Sequence, residues 1–454
     1  MSSLPHCLVL AVLTVIVGLA TGEDVFVDLQ LGTVQGMSVD FIENKFINKS
    51  TKINVFKGRS FSCFRRRQFQ SNHFGESAGA GSVDFHLISK FSRDLFDQAI
   101  LESGAVLTPW SFNEYWESNK VNEAFRLGRS VNCSSTDTTE LVDCLRQIDA
   151  RTLENIASAN QIRFGPTVDG KFLDESPITM IQRGDFKDCP VIVGFNRDEG
   201  TLFMLSSFPD YALTEEAPVI NQSSFNMLVT VSQTIYNPVR YEIVEDSIKQ
   251  QYVDWAHWDD TNHDYFDTIV GISGDESFSC PCLKVARDRA MMTSVFIVYG
   301  NGPGWLGAGH AEELQYVFGF PFIPGRQEWH GPMTDSEAEL SVKFMQFWTN
   351  FAKSGDPSRP DSNSSPGQGD WEWPAFTIPG LQYKELASEM SVDRGLKADE
   401  CAFWDGFKPD LTSYIASIDT AELEWREEFS GWQKDLEDWR MAFQEYQEDP
   451  VCDP

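Results

Sequence analysis

The chain has 454 residues, of which 41% are hydrophobic, and a formal net charge of −32 at pH 7. The hydrophobic fraction predicts a sizeable core and argues against global disorder. The acidic balance argues against a nucleic-acid partner, because phosphate binding needs clustered Lys and Arg. The charge suits an extracellular protein that attracts cations, although acidity that only keeps a secreted chain soluble is the simpler explanation.

The N-terminal segment has the pattern of a secretion signal. Residues 7–19 form an apolar run, and residues 20–22 (Ala-Thr-Gly) are the small residues typical of a cleavage site. The run is too short to span a bilayer, and no later stretch approaches 18 apolar residues. We therefore expect residues 1–22 to be a signal peptide and the mature chain to be secreted and extracellular.

Cysteines and glycosylation sequons fit that compartment. The chain has nine cysteines, and Cys133 and Cys144 flank a short polar loop that a disulfide between them would close. Export makes N-glycosylation plausible at the four Asn-x-Ser/Thr sequons. These sequons begin at Asn48, Asn132, Asn221 and Asn363.

The first part of the chain divides into two unlike segments. Residues 23–43 alternate apolar and polar positions in a way that predicts a strand, a turn and a second strand. Residues 45–67 carry eight Lys or Arg and no acid, without a clear period. We expect a solvated loop there, or a sequence foreign to the fold. A basic patch of the nuclear or heparin-binding type is the alternative.

From about residue 74 to 410, short apolar runs alternate with helical patterns. Residues 191–194 and 295–299 have the composition of buried strands. Alternating strands and helices predict an α/β sheet with helices on both faces. Residues 354–370 are rich in Ser, Pro, Gly and Asp and predict a surface loop. The helical patterns lie at residues 140–148, 245–256 and 336–353.

Residues 419–447 predict a separate amphipathic helix. Asp419 with Glu422 resembles a helix start with a capping box. Aromatic residues recur every seven positions, an apolar residue follows each Trp by four, and the other face is acidic, so one aromatic stripe results. The stripe consists of Trp425, Phe429, Trp432, Leu436, Trp439, Phe443 and Tyr446.

Residues 75–79, Gly-Glu-Ser-Ala-Gly, match the G-x-S-x-G nucleophile elbow. In that motif Ser77 occupies a tight turn between a strand and a helix, where larger neighbours would clash. The N–H of Ala78 would then stabilise an oxyanion. A five-residue match also arises by chance, so a plain loop is the alternative.

Longer segments around these motifs strongly resemble the type-B carboxylesterase and cholinesterase family. The first comprises FGESAGAGS at 74–82 with SRDLF at 92–96 and AILESG at 99–104. GFNRDEGT at 194–201 resembles the family's acid segment, and GAGHAEE at 307–313 resembles its histidine segment. The order Ser, Glu, His is that of the α/β-hydrolase fold.

The resemblance implies an α/β-hydrolase fold, a mostly parallel sheet flanked by helices, over residues 23–418. It implies a triad in which Ser77 attacks an ester, His310 transfers the proton and Glu199 stabilises the imidazolium. The substrate would be a choline ester or a related carboxylic ester, with no cofactor and no metal. Without the resemblance, Glu199 and His310 would not stand out from the chain's other acids and its seven histidines.

The resemblance also implies a substrate pocket. Glu76, which is otherwise only the permissive x of the motif, is the acid that cholinesterases use to favour a cationic choline. Trp110 matches the acyl-pocket tryptophan. Asn160 and Ile162 fall where acetyl-selective enzymes carry phenylalanines, so their smaller side chains imply room for longer acyl groups.

The pocket departs from the family pattern on its choline side. Leu202 and Phe203 follow the triad glutamate, and Leu202 falls where acetylcholinesterases usually place an aromatic residue. Losing an aromatic face weakens cation–π binding by about 1 kcal/mol. The family's tryptophan eight residues before the histidine is replaced by Gly302.

The largest departure precedes the nucleophile. Residues 37–74 separate the Val-Gln-Gly strand from the elbow, where the family has well over a hundred residues that include a Gly-rich loop with two oxyanion amides. One oxyanion donor is worth about 10²–10³ in rate. We therefore expect a fold truncated on its N-terminal side, with exposed sheet edges. An inactive binding or adhesion module like the neuroligins, a splice variant and an incomplete gene model are the alternatives.

By resemblance, Cys133 pairs with Cys144 and Cys280 pairs with Cys401. Obvious partners are lacking for Cys63, Cys189 and Cys282.

Residues 419–454 resemble the tetramerisation tail of cholinesterases. Trp425, Trp432 and Trp439 would wrap a proline-rich helix of an anchoring subunit, because aromatic faces bind polyproline well. Cys452 would form an interchain disulfide, and the anchor would hold a homo-oligomer at the cell surface. A helix that packs on its own domain is the alternative.

Overall fold

The structure is a computed structural model. It describes residues 72–211, 216–236, 241–291, 306–323 and 333–448, together with the backbone of four strands at 23–29, 32–41, 51–56 and 295–300. The predicted signal peptide, Asn48, Cys63, Gly302 and Cys452 lie outside the described residues.

The described elements alternate between strands and helices along most of the chain. The strands are β1 (Glu23–Leu29), β2 (Gly32–Phe41), β3 (Thr51–Phe56), β4 (Asn72–Glu76), β5 (Gln98–Glu102), β6 (Val191–Asn196), β7 (Val295–Gly300), β8 (Gln382–Leu386) and β9 (Ser391–Arg394). The α-helices are α1 (Ala78–Ile88), α2 (Glu114–Ser130), α3 (Thr138–Leu145), α4 (Ala150–Ala159), α5 (Pro177–Gln182), α6 (Thr201–Ser207), α7 (Gln222–Tyr236), α8 (Glu242–Tyr252), α9 (Phe266–Gly274), α10 (Cys280–Ala290), α11 (Leu314–Val317), α12 (Asp335–Ser354), α13 (Ala398–Ala402) and α14 (Lys408–Glu448). Two π-helical turns join helices at Asp275–Ser279 and Phe403–Phe407.

Six strands form the main sheet in the order β4-β5-β6-β7-β8-β9. The strands run parallel from β4 to β8, and β9 is antiparallel to β8. Every residue of β5 and β6 is buried, as expected of parallel strands covered by helices on both faces. This architecture confirms the predicted α/β fold.

The two faces of the sheet bury alternate residues of the same strands. Ile100 and Ile192 pack with Phe347 of α12, whereas Leu101 and Val193 belong to the larger core that includes α1, α5 and α10. The alternation follows from the period of two along a strand. The predicted nucleophile elbow therefore follows a strand of a sheet that is packed on both faces.

Among the described strands, β4 stands at the end of the main sheet and pairs only with β5. This order agrees with a sheet shortened on its N-terminal side. The consequence is that the nucleophile motif follows a terminal strand rather than a central one.

The three remaining strands form a separate antiparallel sheet in the order β1-β2-β3. Its β1–β2 hairpin confirms the strand-turn-strand predicted over residues 23–43. The loop predicted over 45–67 is wrong in part, because Thr51–Phe56 pairs with β2 as a third strand. The sequence Thr-Lys-Ile-Asn-Val-Phe has β-branched and aromatic residues with strand propensity, which the surrounding charges obscured.

Local sequence signals explain where α12 begins and ends, the helix that packs on the sheet face of Ile100 and Ile192. The helix α12 begins after Thr334, whose side chain accepts from the Glu337 N–H while the Glu337 carboxylate accepts from the Thr334 N–H. It ends at Gly355, which adopts a left-handed conformation at φ 80°. The other predicted helices form at Thr138–Leu145 and Glu242–Tyr252.

Two disulfides, Cys133–Cys144 and Cys280–Cys401, form among the cysteines that the structure describes. Cys189 and Cys282 are buried thiols. Three of the predicted glycosylation sequons, at Asn132, Asn221 and Asn363, are exposed.

The C-terminal helix is longer than predicted. A start at Asp419 is wrong, because α14 begins at Lys408 and runs for 41 residues. Pro409 stands in its first turn, where a missing N–H is tolerated, so the chain enters the helix there without a break. No helix in the described ranges has both the length and the apolarity needed to cross a membrane.

Candidate active site

Ser77 occupies the sharp turn between β4 and α1. Its backbone has φ 56° and ψ −123°, a conformation that is costly for any residue with a side chain and that clusters at functional sites. The Ser77 N–H donates to the Glu102 carbonyl across 2.8 Å, which fixes the turn to the neighbouring strand. The turn holds the serine side chain at the carboxyl end of the sheet.

Gly75 explains why this motif needs a glycine before the serine. A Cβ at Gly75 would lie 2.3 Å from the carbonyl carbon and oxygen of Gly79, so any side chain would push α1 away from β4. A Cβ at Gly79 would meet nothing within 4 Å among the described residues. The two glycines of the motif therefore have unequal roles in this chain.

We expect Gly75→Ala to lower the free energy of unfolding by about 1–3 kcal/mol. The new methyl group would clash with backbone atoms of Gly79, which cannot move aside as a flexible side chain could. Gly79→Ala is the matched control and should be neutral or slightly stabilising, because Ala favours a helix by about 1 kcal/mol over Gly. Chemical denaturation of both variants provides the measurement. Equal destabilisation by the two changes would mean that another segment packs on Gly79.

His310 links Ser77 to a buried acid. Its Nε2 lies 2.8 Å from Ser77 Oγ, and its Nδ1 lies 2.6 Å from Glu199 Oε2. Glu199 is fully buried, and its other carboxylate oxygen accepts from the Asn196 N–H across 2.8 Å. With a proton on Nδ1 shared with the carboxylate, Nε2 is free to accept the serine proton. This geometry can activate a hydroxyl as a nucleophile.

The segments that carry the acid and the histidine are joined directly. The Asp198 N–H donates to the Ala308 carbonyl across 3.0 Å, and the Ala308 N–H donates back to Asp198 Oδ2 across 2.8 Å. Gly307 has φ 61°, and a Cβ there would fall 1.8 Å from Asp198 Oδ2. Asp198 was not predicted from the sequence, although it immediately precedes the predicted acid.

Burial and the neighbouring negative charges shift the pKa of His310 in opposite directions. Burial lowers its pKa, but the charge and hydrogen bond of Glu199 and the nearby Glu76 carboxylate raise it, to about 9. Glu76 Oε1 lies 3.3 Å from His310 Nε2 without a well-directed hydrogen bond. Burial raises the pKa of Glu76, while the charge of His310 opposes that rise. Proton acceptance from Ser77 should therefore be favoured at alkaline pH.

An aromatic wall continues from the histidine ring. The centroid of Phe278 lies 4.7 Å from that of His310 and 5.6 Å from that of Trp110. Trp110 Nε1 donates to the Ser277 carbonyl across 2.8 Å, and Phe203 lies 6.0 Å from Phe278. Trp110 and Phe203, both predicted from the sequence, therefore meet through Phe278.

Phe278 was missed because its placement depends on backbone geometry. It lies in the π-helical turn Asp275–Ser279 between α9 and α10, and such turns occur often at functional sites. The turn also carries Glu276 and Ser277, which line a cavity of about 140 Å³ with Phe203. No periodicity in the sequence marks a π-turn.

The chain is similar to a known protein family. The sequence pattern of the Carboxylesterase family matches residues 73–404, which is most of the chain. The chain belongs to the carboxylesterase family.

Two curated relatives of this carboxylesterase chain are similar over most of its length. An acetylcholinesterase of Bungarus fasciatus is 33% identical over 397 residues, which cover 84% of the chain and 62% of that protein. A cholinesterase of Mus musculus is 32% identical over 410 residues, which cover 86% of the chain and 64% of that protein. The chain thus spans less than two thirds of the length of either relative.

The predicted oxyanion donor follows the nucleophile. Ala78 begins α1 and is exposed, and its N–H belongs to the first turn of a helix, where amides lack intrahelical partners. Within the described residues, the Ala78 N–H therefore stays the predicted oxyanion donor next to Ser77 in this carboxylesterase chain.

Asn160 and Ile162 lie in a different local environment from the aromatic wall. Asn160 is exposed at the end of α4, where its side chain donates to the Ile156 carbonyl across 2.7 Å. Ile162 is buried in a small cluster with Leu127 and Ala157. Leu202 is half-buried on α6. The acyl-pocket and choline-side roles of these residues stay predictions.

Proposed function

We propose that this chain is a serine carboxylic-ester hydrolase that works through an acyl-enzyme on Ser77. The observation that carries the proposal is the chain of contacts from Ser77 Oγ through His310 to Glu199, at 2.8 and 2.6 Å. Membership of the carboxylesterase family supports it. Covalent labelling of Ser77 by an organophosphate is the direct test.

The proposed reaction has two matching halves. Ser77 Oγ bonds to the ester carbonyl carbon as its proton passes to His310, and Glu199 stabilises the resulting imidazolium. The Ala78 N–H faces the negative oxygen of the tetrahedral intermediate. His310 then protonates the departing alcohol as its bond to carbon breaks, which leaves an acyl-serine. Water repeats the sequence with His310 as base and releases the carboxylic acid.

We propose choline esters as the substrate class. The Glu76 carboxyl lies 3.3 Å from His310 Nε2, and the centroid of the Phe278 ring lies 4.7 Å from that of His310. A negative charge and aromatic faces are the features that bind quaternary ammonium groups. An incoming cation would favour the ionised form of Glu76. The names of the two relatives support the same class. If Asn160 and Ile162 border the acyl group, longer acyl chains should be accepted.

A specific observation favours a second candidate, a cholinesterase-like binding module with impaired catalysis. In the described part of the chain, the nucleophile follows a strand at the end of the sheet, and Ala78 is the one amide that we assign to the oxyanion. Since each missing donor costs about 10²–10³ in rate, slow turnover is expected. Labelling of Ser77 separates the candidates, because a binding module needs no activated serine.

For localisation and assembly, we propose a secreted homo-oligomer held through α14. Six apolar side chains of the aromatic stripe are exposed on this helix, and a proline-rich anchoring segment is their proposed partner. They are Trp425, Phe429, Trp432, Leu436, Trp439 and Phe443. The proposed interchain disulfide joins Cys452 of one chain to Cys452 of another.

We expect disulfide-linked dimers, and tetramers when a proline-rich peptide is added, because burial of exposed tryptophans drives association. Trp432→Ala should weaken tetramers, and Cys452→Ser should remove the covalent dimers. Met441 is exposed but off the stripe, so Met441→Ala is the matched control. Native sizing and non-reducing electrophoresis provide the measurement. Monomer alone, with or without the peptide, would count against the proposal.

A further inference from the structure

A second group of buried acids lies behind the triad. Glu102 is at the carboxyl end of β5 and is 2% exposed, and Glu313 at the start of α11 is 8% exposed. Glu102 Oε1 accepts from the Trp348 indole N–H across 2.6 Å, and Glu313 Oε2 accepts from the Asn196 side chain across 2.5 Å. Each glutamate therefore has one oxygen bound to a protein donor.

The remaining oxygen of each glutamate, Glu102 Oε2 and Glu313 Oε1, is buried and receives no hydrogen bond from the described residues. Both glutamates line one small cavity of about 10 Å³ together with Asn196, Phe344 and Trp348. That volume holds at most one water molecule. Two ionised carboxylates cannot share such a space at low dielectric, because neither repulsion nor desolvation is compensated.

We propose that Glu102 and Glu313 are a proton-binding pair that holds one proton between the two carboxyl groups and positions the triad from behind. A shared proton gives each orphaned oxygen a partner, as in other sites where two carboxyl groups face each other. The pair acts through Asn196, which is 3% exposed. Glu102 and Glu313 are positioning residues in this scheme, since neither touches Ser77 Oγ or the substrate.

Asn196 connects the Glu102–Glu313 pair to the triad acid Glu199 and to the loop that carries His310. Its side-chain amide donates to the Gly309 carbonyl across 2.8 Å as well as to Glu313, and its backbone N–H donates to Glu199. Gly309 precedes His310. One asparagine thus ties the proton-binding pair to the loop of the histidine and to the triad acid.

Burial and the neighbouring carboxylates favour the protonated state of the pair by raising the pKa values, whereas the charge of His310 opposes the rise at Glu313. The other titratable groups that face the pair are Glu76 from β4, Glu199 from the end of β6 and His310, whereas α12 presents Trp348 and Phe344. Burial raises the pKa of Glu313 from 4.5 to about 7, with the Glu199 charge adding to the rise. Burial and the charge of Glu313 hold the pKa of Glu102 well above its usual range.

The sign of the resulting pH dependence is fixed by linkage. A carboxyl group whose pKa is higher in the folded than in the unfolded state stabilises the fold below its unfolded pKa of 4.5, and this contribution is lost as pH rises through about 7. Glu102→Gln replaces the shared proton by a permanent N–H donor toward Glu313 and keeps the acceptor for Trp348. The variant should therefore lose less stability than the wild type as pH rises across that window.

The experiment measures thermal unfolding of the full chain from about pH 5 to about pH 8, for the wild type, Glu102→Gln and the exposed control Glu389→Gln. We expect a flatter pH profile for Glu102→Gln alone. Infrared spectra at neutral pH should show a protonated carboxyl band in the wild type that is weaker in Glu102→Gln. Both readouts are free of substrate, so they stand even if hydrolysis by Ser77 is disproved.

A purely structural role of Glu102 would leave the protonated carboxyl band unchanged in Glu102→Gln. If the wild type and Glu102→Gln show the same carboxyl band and the same pH profile, the shared proton is disproved. Should Glu102→Gln fail to fold, Glu313→Gln places the donor on the other side of the cavity and must give the same two changes. The absence of a difference band in either variant would overturn the proposal.

Discussion

Ser77→Ala is expected to abolish covalent labelling by an organophosphate and to reduce ester hydrolysis to background. The hydroxyl of Ser77 is the group that His310 contacts at 2.8 Å, and removal of a triad serine lowers kcat by up to about 10⁶-fold. Mass spectrometry of the peptide that contains residues 75–79 locates the adduct. Hydrolysis of a choline ester and of an uncharged ester, measured in parallel, reports turnover.

Ser388→Ala is the matched control for this experiment, because Ser388 is exposed in the turn between β8 and β9. It should label and hydrolyse like the wild type. A wild-type chain that is folded by circular dichroism but takes no adduct on Ser77 would refute the hydrolase and leave the binding module. Labelling without measurable turnover would indicate an activated serine whose oxyanion is too weakly stabilised.

Glu199→Gln is expected to slow organophosphate labelling by about 10⁴-fold at neutral pH, the size of effect seen when a triad acid loses its charge. The carboxylate holds Nδ1 of His310 across 2.6 Å, and an amide at this position also permits the wrong tautomer. Because the charge of Glu199 raises the pKa of His310, the variant should begin to react at lower pH than the wild type, although its maximal rate is lower.

The pH dependence of the labelling rate checks both parts of this expectation. In the wild type, the rate should rise with pH as His310 loses its proton near its pKa of about 9. Glu389→Gln, an exposed control, should follow the wild-type profile. If the labelling rate of Glu199→Gln begins to rise at the same pH as that of the wild type, Glu199 does not set the charge state of His310.

Much of this site follows from short motifs read in order. The glycines at 75 and 79 predicted the elbow, and two later motifs supplied Glu199 and His310. Glu199 and His310 were identified only through the resemblance of their segments to a known family. The elbow depends on local sequence, because a tight turn that needs glycines leaves a recognisable pattern. The α/β class followed for the same reason, since fully buried strands such as β6 read as continuous apolar runs.

Features that depend on packing between distant segments were not predictable. Phe278 reaches His310 only because a π-turn interrupts the helix before Cys280, and nothing in the local composition requires that turn. Glu102 and Glu313 are 211 residues apart in the sequence and line one cavity only in the folded chain, where the start of α11 lies near the carboxyl end of β5. The start of α14 was misplaced because Asp419 and Glu422 match a capping box, although the helix already begins at Lys408.

The length of α14 has a mechanical consequence for any assembly. At 1.5 Å per residue, 41 residues extend about 60 Å, and Trp425 lies about 25 Å along the axis from the first turn. Lys408 fastens that first turn through Glu276 at 2.7 Å, in the same π-turn that carries Phe278. A partner that binds the distant tryptophans would hold the α/β domain at the other end of this long helix. A pulling force on the helix would then act, through Lys408 and Glu276, on the π-turn whose Phe278 contacts His310.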